Sequence, residues 1–157
     1  MPALSVGAAA PNFTLDGSAG PTTLSAVLHQ HRYAVLVFFP HAFSSVCTDE
    51  LNVFQEAQEE FARLDAQVLG ISVDSKYAQQ AFAQANNLSF PLLADFHPRG
   101  AVAQQYGVMR EEGAAERALF IVDRELRVRY SFVSEPSQNP GAGGVLDALE
   151  ALQGGQA

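Results

Sequence analysis

The segment YAVLVFFPHAFSSVCTDEL, residues 33–51, joins a continuous apolar run to the start of a helical pattern and contains the only cysteine of the chain. An apolar run such as residues 33–39 is typical of a β-strand that is covered on both faces. Pro40 then ends the strand, and small hydroxyl residues turn the chain into a helix. This order predicts an α/β fold in which Cys47 lies at a helix N-terminus, among backbone N–H groups without helical partners.

Ser44 is the predicted N-cap of this helix, because its side-chain oxygen can accept a hydrogen bond from the backbone N–H of Cys47 three residues later. At helical spacing, Cys47, Leu51, Phe54 and Phe61 fall near one face, so we expect the sulfur to point inward at the edge of the core. A lone cysteine is often only a small buried hydrophobic residue. A helix start at the carboxyl end of a strand favours the other interpretation, a stabilised thiolate in a functional site.

The remaining pattern predicts one domain over residues 1–157, with a mixed central sheet and helices on both faces. An N-terminal β-hairpin is predicted from residues 13–15 and 22–24. The further predicted strands are residues 33–39, 67–73, 90–93, 118–122 and 127–133, the last two forming a hairpin. The predicted helices are residues 44–64, 75–86, a short one ending near 106, and 145–152.

Composition excludes several classes of function. The chain has 157 residues and a net charge of -8, which argues against nucleic acid as a partner. Its N-terminus has neither a basic region nor a long apolar core, so we expect no membrane association. A single cysteine forms no internal disulfide and suits the cytoplasm. No cysteine and histidine cluster has zinc spacing, and we expect neither metal nor cofactor.

Pro40, Ser44 and Cys47 fit the Pro-x3-Thr/Ser-x2-Cys signature of the peroxiredoxins, which the chain resembles. The resemblance extends over about residues 6–152 and is strongest to the one-cysteine alkyl hydroperoxide reductase E type. The segments that carry it are APNFTL at 10–15, VFFP at 37–40, FPLLAD at 90–95, YGV at 106–108 and RALFIVD at 117–123. It implies a thioredoxin-like fold with an N-terminal β-hairpin extension.

The resemblance also implies a catalytic site. The family has an arginine that points at the cysteine, which by position is Arg117, and a glutamate three residues after the cysteine, here Glu50, which hydrogen-bonds that arginine. Ser44 stands where most members have threonine. Each of these residues also has a purely structural interpretation. Pro40 would only end a strand, and Ser44 would only cap a helix. Arg117 would be a solvated residue, and Glu50 would only interact favourably with the helix dipole from the first turn.

The expected reaction is attack of the Cys47 thiolate on hydrogen peroxide, an organic hydroperoxide or peroxynitrite. A helix N-terminus stabilises an anion by at most ~2 kcal/mol, so Arg117 is needed as an adjacent cation. The resulting sulfenic acid has no second cysteine to resolve it, and an external thiol must reduce it. The candidates are thioredoxin, or a low-molecular-weight thiol with a glutaredoxin-like protein.

Two other functions remain open from the sequence. In a redox sensor, oxidation of Cys47 would switch partner binding without turnover. In a cysteine acyl-transfer enzyme, His41 would act as the base. His29 and His31 form an H-x-H that we interpret as surface. Phe43 and Phe96 belong either to the core or to the interface of a homodimer or larger homo-oligomer.

Overall fold

The fold is described from a computed structural model of the chain, for residues 3–135 and 137–154. Seven strands and six helices follow one another in these residues. They are β1 (Thr14–Leu15), β2 (Thr22–Thr23), α1 (Leu24–Gln30), β3 (Tyr33–Phe38), α2 (Ser45–Glu56), α3 (Gln58–Arg63), β4 (Ala66–Ser72), α4 (Lys76–Ala85), β5 (Leu92–Ala94), α5 (Ala101–Gln105), β6 (Arg117–Asp123), β7 (Val128–Ser134) and α6 (Gly143–Gly154).

The central sheet has five strands in the order β5-β4-β3-β6-β7. Strand β3 is in the middle, parallel to β4 and antiparallel to β6, and every one of its residues is buried. The continuous apolar sequence of residues 33–39 is therefore explained, because both faces of this strand are covered. The mixture of parallel and antiparallel pairs confirms the predicted mixed sheet.

Alternation along the strands divides the core into two layers. Odd-numbered residues of β3 and β6 face a cluster that includes side chains of α2, α3, α4 and α6. Even-numbered residues of both strands face a second cluster with α1 and α5. Helices therefore cover both faces of the sheet, as predicted. Cys47 belongs to the first layer.

The N-terminal hairpin is confirmed, but α1 was not predicted from the sequence. The second strand of the hairpin ends at Thr23, and Leu24 begins the helix instead of ending the strand. Leu24 and Leu28 are buried one helical turn apart in the second layer. Their i, i+4 spacing was the available signal for this short helix.

The predicted helix over residues 44–64 is two helices, α2 and α3, because the chain departs from helical geometry at Ala57 (φ −95°, ψ 10°). The side-chain amide of Gln58 donates to the Phe54 carbonyl oxygen at 3.1 Å. Across the break, the rings of Phe54 and Phe61 stack at 5.7 Å between centroids, so the two helices keep a common apolar face. Within the described residues, no helix has the length and apolar character to span a bilayer.

Candidate active site

The turn from β3 into α2 places the cysteine. Pro40 is buried directly beyond the end of β3, and residues 40–44 form an irregular loop. Ser44 has extended backbone geometry (φ −70°, ψ 150°), and its Oγ accepts a hydrogen bond from the Cys47 N–H at 3.3 Å. Ser44 therefore caps α2 as predicted, and Cys47 lies in the first helical turn.

The Cys47 side chain is free and has no exposed surface. It shares the first core layer with residues such as Phe39, Leu51 and Leu119. The sulfur thus lies in a largely apolar environment, at the end of the helix where backbone N–H groups lack helical acceptors. An anion in such surroundings needs a specific cation and hydrogen-bond donors.

Arg117 supplies that cation from the other side of the layer. It is the first residue of β6, and the alternation that points Leu119 and Ile121 at the first layer also points Arg117 there. Its Nη2 donates to Cys47 Sγ at 3.2 Å, and its Nη1 donates to Glu50 Oε1 at 2.7 Å. Arg117 is only 2% exposed, so the alternative of a solvated arginine is wrong.

Glu50 is fully buried one turn along α2 from the cysteine, so it contributes more than a favourable charge at a helix start. Burial raises the pKa of its carboxyl from 4.5 to about 7, although the adjacent Arg117 charge and hydrogen bond act in the opposite direction. Among the described residues, Oε2 has no hydrogen-bond partner. The thiolate of Cys47 and the carboxylate of Glu50 are therefore two potential anions beside one guanidinium.

The loop before the helix contains a strained residue. Phe43 has a positive φ of 69°, a conformation in which bulky residues are rare. Its ring is 56% exposed and lies 4.9 Å, centroid to centroid, from the buried ring of Phe82. His41, on the same loop, is exposed. Backbone strain of this kind persists where the surrounding structure fixes it, and it is frequent at functional sites.

Asp74 was not predicted as a site residue, and its Oδ2 accepts a hydrogen bond from the backbone N–H of Ala42 at 2.8 Å. Asp74 lies just beyond the end of β4, which is parallel to β3. Carboxyl ends of neighbouring parallel strands meet at one edge of a sheet, and this was the signal that could have drawn attention to it.

The other residues considered from the sequence lie apart from the contact between Arg117 and Cys47. His31 Nδ1 is 3.4 Å from Asp65 Oδ1. The part of the chain that the structure describes contains no group of three or more histidine, cysteine or acidic residues arranged to hold a metal ion. Phe96 is 52% exposed, so neither it nor Phe43 is a core residue. The aromatic pair remains available for an interface.

Comparison with known proteins places the whole arrangement in one family. The model of the AhpC/TSA family matches residues 6–131, which include every residue of the site described above. Alkyl hydroperoxide reductase E of Mycobacterium tuberculosis is 37% identical over 150 residues, covering 95% of this chain and 98% of the relative. A chloroplastic 2-cysteine peroxiredoxin of Chattonella marina var. antiqua is 36% identical over 159 residues, covering 94% and 80%.

Solved structures support the same family assignment. Peroxidoxin BcpB from Mycobacterium tuberculosis superposes with a TM-score of 0.87 at 33% identity, covering 95% of this chain and 98% of that one. AhpC of the same organism has a TM-score of 0.84 at 30% identity, covering 99% and 96%. This likeness confirms the predicted thioredoxin-like fold. With its single cysteine at the head of α2, the chain belongs to the AhpC/TSA family as a one-cysteine peroxiredoxin, a thiol-dependent peroxidase.

Proposed function

We propose that this peroxiredoxin reduces hydrogen peroxide, organic hydroperoxides or peroxynitrite at Cys47, in the cytoplasm, with Arg117, Ser44, Pro40 and Glu50 completing the catalytic site. The observation that supports this most directly is the contact of the Arg117 guanidinium with the Cys47 sulfur, 3.2 Å away in a buried site. A buried cation at hydrogen-bond distance favours the thiolate, which is the nucleophilic form of cysteine.

In the first step, the thiolate sulfur attacks one peroxide oxygen. A sulfur–oxygen bond forms as the oxygen–oxygen bond breaks, sulfur loses two electrons, and the departing alkoxide or hydroxide takes up a proton. The products are a sulfenic acid on Cys47 and an alcohol or water; with peroxynitrite as the substrate, the leaving group is nitrite. Negative charge moves onto the leaving oxygen during this step, so fixed donors lower its barrier.

Arg117 is one such donor, and Ser44 is a second. Because the Ser44 Oγ accepts from the Cys47 N–H, its hydroxyl hydrogen is left to donate toward a peroxide oxygen. Pro40 offers no N–H that would compete for the substrate, and its buried ring forms a rigid wall. Glu50 orients Arg117 through its 2.7 Å hydrogen bond.

The second step needs a thiol from outside the chain, because no other cysteine is present. An incoming thiol condenses with the sulfenic acid, releasing water and leaving a mixed disulfide. A further thiol then displaces Cys47 from that disulfide. We expect the reductant to be thioredoxin, or a low-molecular-weight thiol acting with a glutaredoxin-like protein.

A homodimer or a larger homo-oligomer is also part of the proposal. Among the described residues, four large aromatic side chains are exposed: Phe43 at 56%, Tyr77 at 70%, Phe96 at 52% and Phe132 at 43%. Phe43 lies on the active-site loop, and Tyr77 and Phe96 both line one surface cavity of about 470 Å³. Exposed aromatic surface of this kind is enriched at protein interfaces.

The test is stopped-flow measurement of Cys47 oxidation by hydrogen peroxide and by an alkyl hydroperoxide, followed by turnover assays with thioredoxin and with a small thiol plus glutaredoxin. The proposal requires oxidation far faster than that of a free thiol and sustained peroxide loss. One stoichiometric oxidation without turnover by any reductant would instead identify a sensor. The variant His41→Ala should keep its activity, and its inactivity would point to acyl transfer.

A further inference from the structure

A chain of hydrogen bonds ties the loop before Cys47 to the neighbouring strand. Asp74 Oδ2 accepts from the Ala42 N–H at 2.8 Å, and the same oxygen accepts from the Ser72 hydroxyl at 2.5 Å. Ala42 lies within the irregular segment between Pro40 and the N-cap Ser44. One carboxylate oxygen thus connects the active-site loop with the carboxyl end of β4.

The groups behind this carboxylate are more deeply buried than the carboxylate itself. Ser72 and Gln79 have no exposed surface. The Gln79 side-chain amide donates to Ser72 Oγ at 2.9 Å and to the Leu93 carbonyl oxygen at 2.8 Å. Ser72 of β4, itself bonded to Gln79 of α4, therefore anchors the Asp74 carboxylate to the sheet.

The loop needs such a restraint. Phe43, directly after Ala42, has the unfavourable φ of 69°, and a loop of this kind relaxes unless its neighbours hold it. Downstream, the Ser44 cap and the packing of Phe43 on Phe82 provide restraints. On the upstream side, the hydrogen bond from the Ala42 N–H to Asp74 provides the restraint.

We propose that Asp74 is a positioning residue for the peroxidase reaction, with Ser72 and Gln79 holding its carboxylate. This inference rests on the proposed function of Cys47. The bond from Asp74 keeps residues 40–44 in the conformation in which Pro40, Ser44 and Cys47 form one site for a peroxide. Asp74 touches neither the sulfur nor the substrate, and it acts through the Ala42 amide.

The same bond has an opposite effect on the second step. Cys47 has no exposed surface, so an external thiol reaches its sulfenic acid only after the loop or the first turn of α2 moves aside. A peroxide presents two small oxygen atoms and needs much less movement. A bond that holds the loop in place therefore accelerates oxidation of Cys47 and slows reduction of its sulfenic acid by a bulky thiol.

The experiment compares Asp74→Ala with Asp74→Asn and with Ser75→Ala. Ser75→Ala is a matched control, because Ser75 is the next residue but caps α4, where its Oγ accepts from the Ala78 N–H at 3.2 Å. Stopped flow gives the second-order constant for oxidation by hydrogen peroxide. A second mixing step gives the constant for reduction of the sulfenic acid by reduced thioredoxin.

For Asp74→Ala we expect oxidation to slow by about tenfold and reduction to become severalfold faster, because the partly buried Ala42 amide loses its acceptor. Asp74→Asn keeps an acceptor oxygen, so its rate constants for oxidation and for reduction should stay close to those of the wild-type chain. Ser75→Ala should leave both constants unchanged while lowering stability. A purely structural role would make Asp74→Ala resemble Ser75→Ala in both constants, and this result would overturn the inference.

Hydrogen exchange separates this inference from the proposed function. The Ala42 amide should be protected in the wild-type chain and in Asp74→Asn, and should exchange faster in Asp74→Ala. If the wild-type chain reacts with peroxide no faster than a free thiol, the proposed function fails, whatever the exchange shows. If Ala42 exchanges equally in all variants, the positioning role fails, whatever the kinetics show. Should Asp74→Ala not fold, the same two measurements apply to Asp74→Asn and to Ser72→Ala, which removes the hydroxyl behind the carboxylate.

Discussion

The variant Glu50→Gln tests the electrostatics of the buried contact most directly. Burial raises the pKa of the Glu50 carboxyl from 4.5 to about 7. In the folded protein the carboxyl is therefore protonated over a pH range in which the unfolded chain has already lost this proton. The stabilisation linked to Glu50 is present in full below pH 4.5 and is lost as the pH rises through about 7. Between 4.5 and 7, the loss amounts to about 3 kcal/mol.

Glutamine has nearly the same shape and can still accept from Arg117, but it does not titrate. The comparison is best made with serine at position 47, which removes the second acidic group beside Arg117. We would measure the free energy of unfolding by urea for Cys47→Ser and for Cys47→Ser with Glu50→Gln, from about pH 4 to about pH 8. The first protein should lose about 3 kcal/mol relative to the second as the pH rises through this range.

Parallel curves of unfolding free energy against pH would refute the reasoning, because they would mean that Glu50 titrates alike in the folded and unfolded chain. The exposed Glu59, at the start of α3, provides a control for the chemical change alone. Glu59→Gln should leave the pH dependence of stability as it is in Cys47→Ser.

Three further outcomes are expected. Arg117→Met should slow Cys47 oxidation by ~10²-fold in stopped flow, since a charge-assisted hydrogen bond contributes about 3 kcal/mol. Undiminished reactivity would show that Arg117 has no catalytic role. Ser44→Ala should lower the free energy of unfolding by about 1 kcal/mol in urea titrations. It should also slow Cys47 oxidation less than Arg117→Met does, and a fully active variant would show that Ser44 acts only as a helix cap. Phe54→Ala should lower the free energy of unfolding by about 3–5 kcal/mol in denaturant titrations, because this fully buried ring stacks on Phe61. A decrease below about 1 kcal/mol would contradict this packing.

Local sequence was sufficient for the part of the site that lies on one continuous segment. The apolar run before Pro40, the cap at Ser44 and the inward face of Cys47 all follow from neighbours a few residues apart, and the structure has each of them. Strands β6 and β7 were predictable for the same reason, since a short turn joins them.

Contacts between distant segments were not predictable in this way. Arg117 and Cys47 are 70 residues apart, and only the family resemblance singled out the arginine. The bond from Ala42 to Asp74 spans 32 residues and uses a backbone N–H, so no side-chain pattern marks it. Glu50 resembles an ordinary acidic residue of a first helical turn until the fold buries it completely. Burial depends on how the layers pack, and a residue's own neighbours do not determine it.

The double contact of Arg117 has a consequence for the whole catalytic cycle. Oxidation turns the thiolate into a neutral sulfenic acid, so the guanidinium loses the negative charge 3.2 Å from its Nη2. Glu50 Oε1 lies 2.7 Å from the same guanidinium, and because burial raises its pKa to about 7, loss of the neighbouring thiolate charge favours its ionised form. We therefore expect the redox state of the sulfur to be linked to the protonation of the Glu50 carboxyl, so that the net charge of the buried site changes little between states.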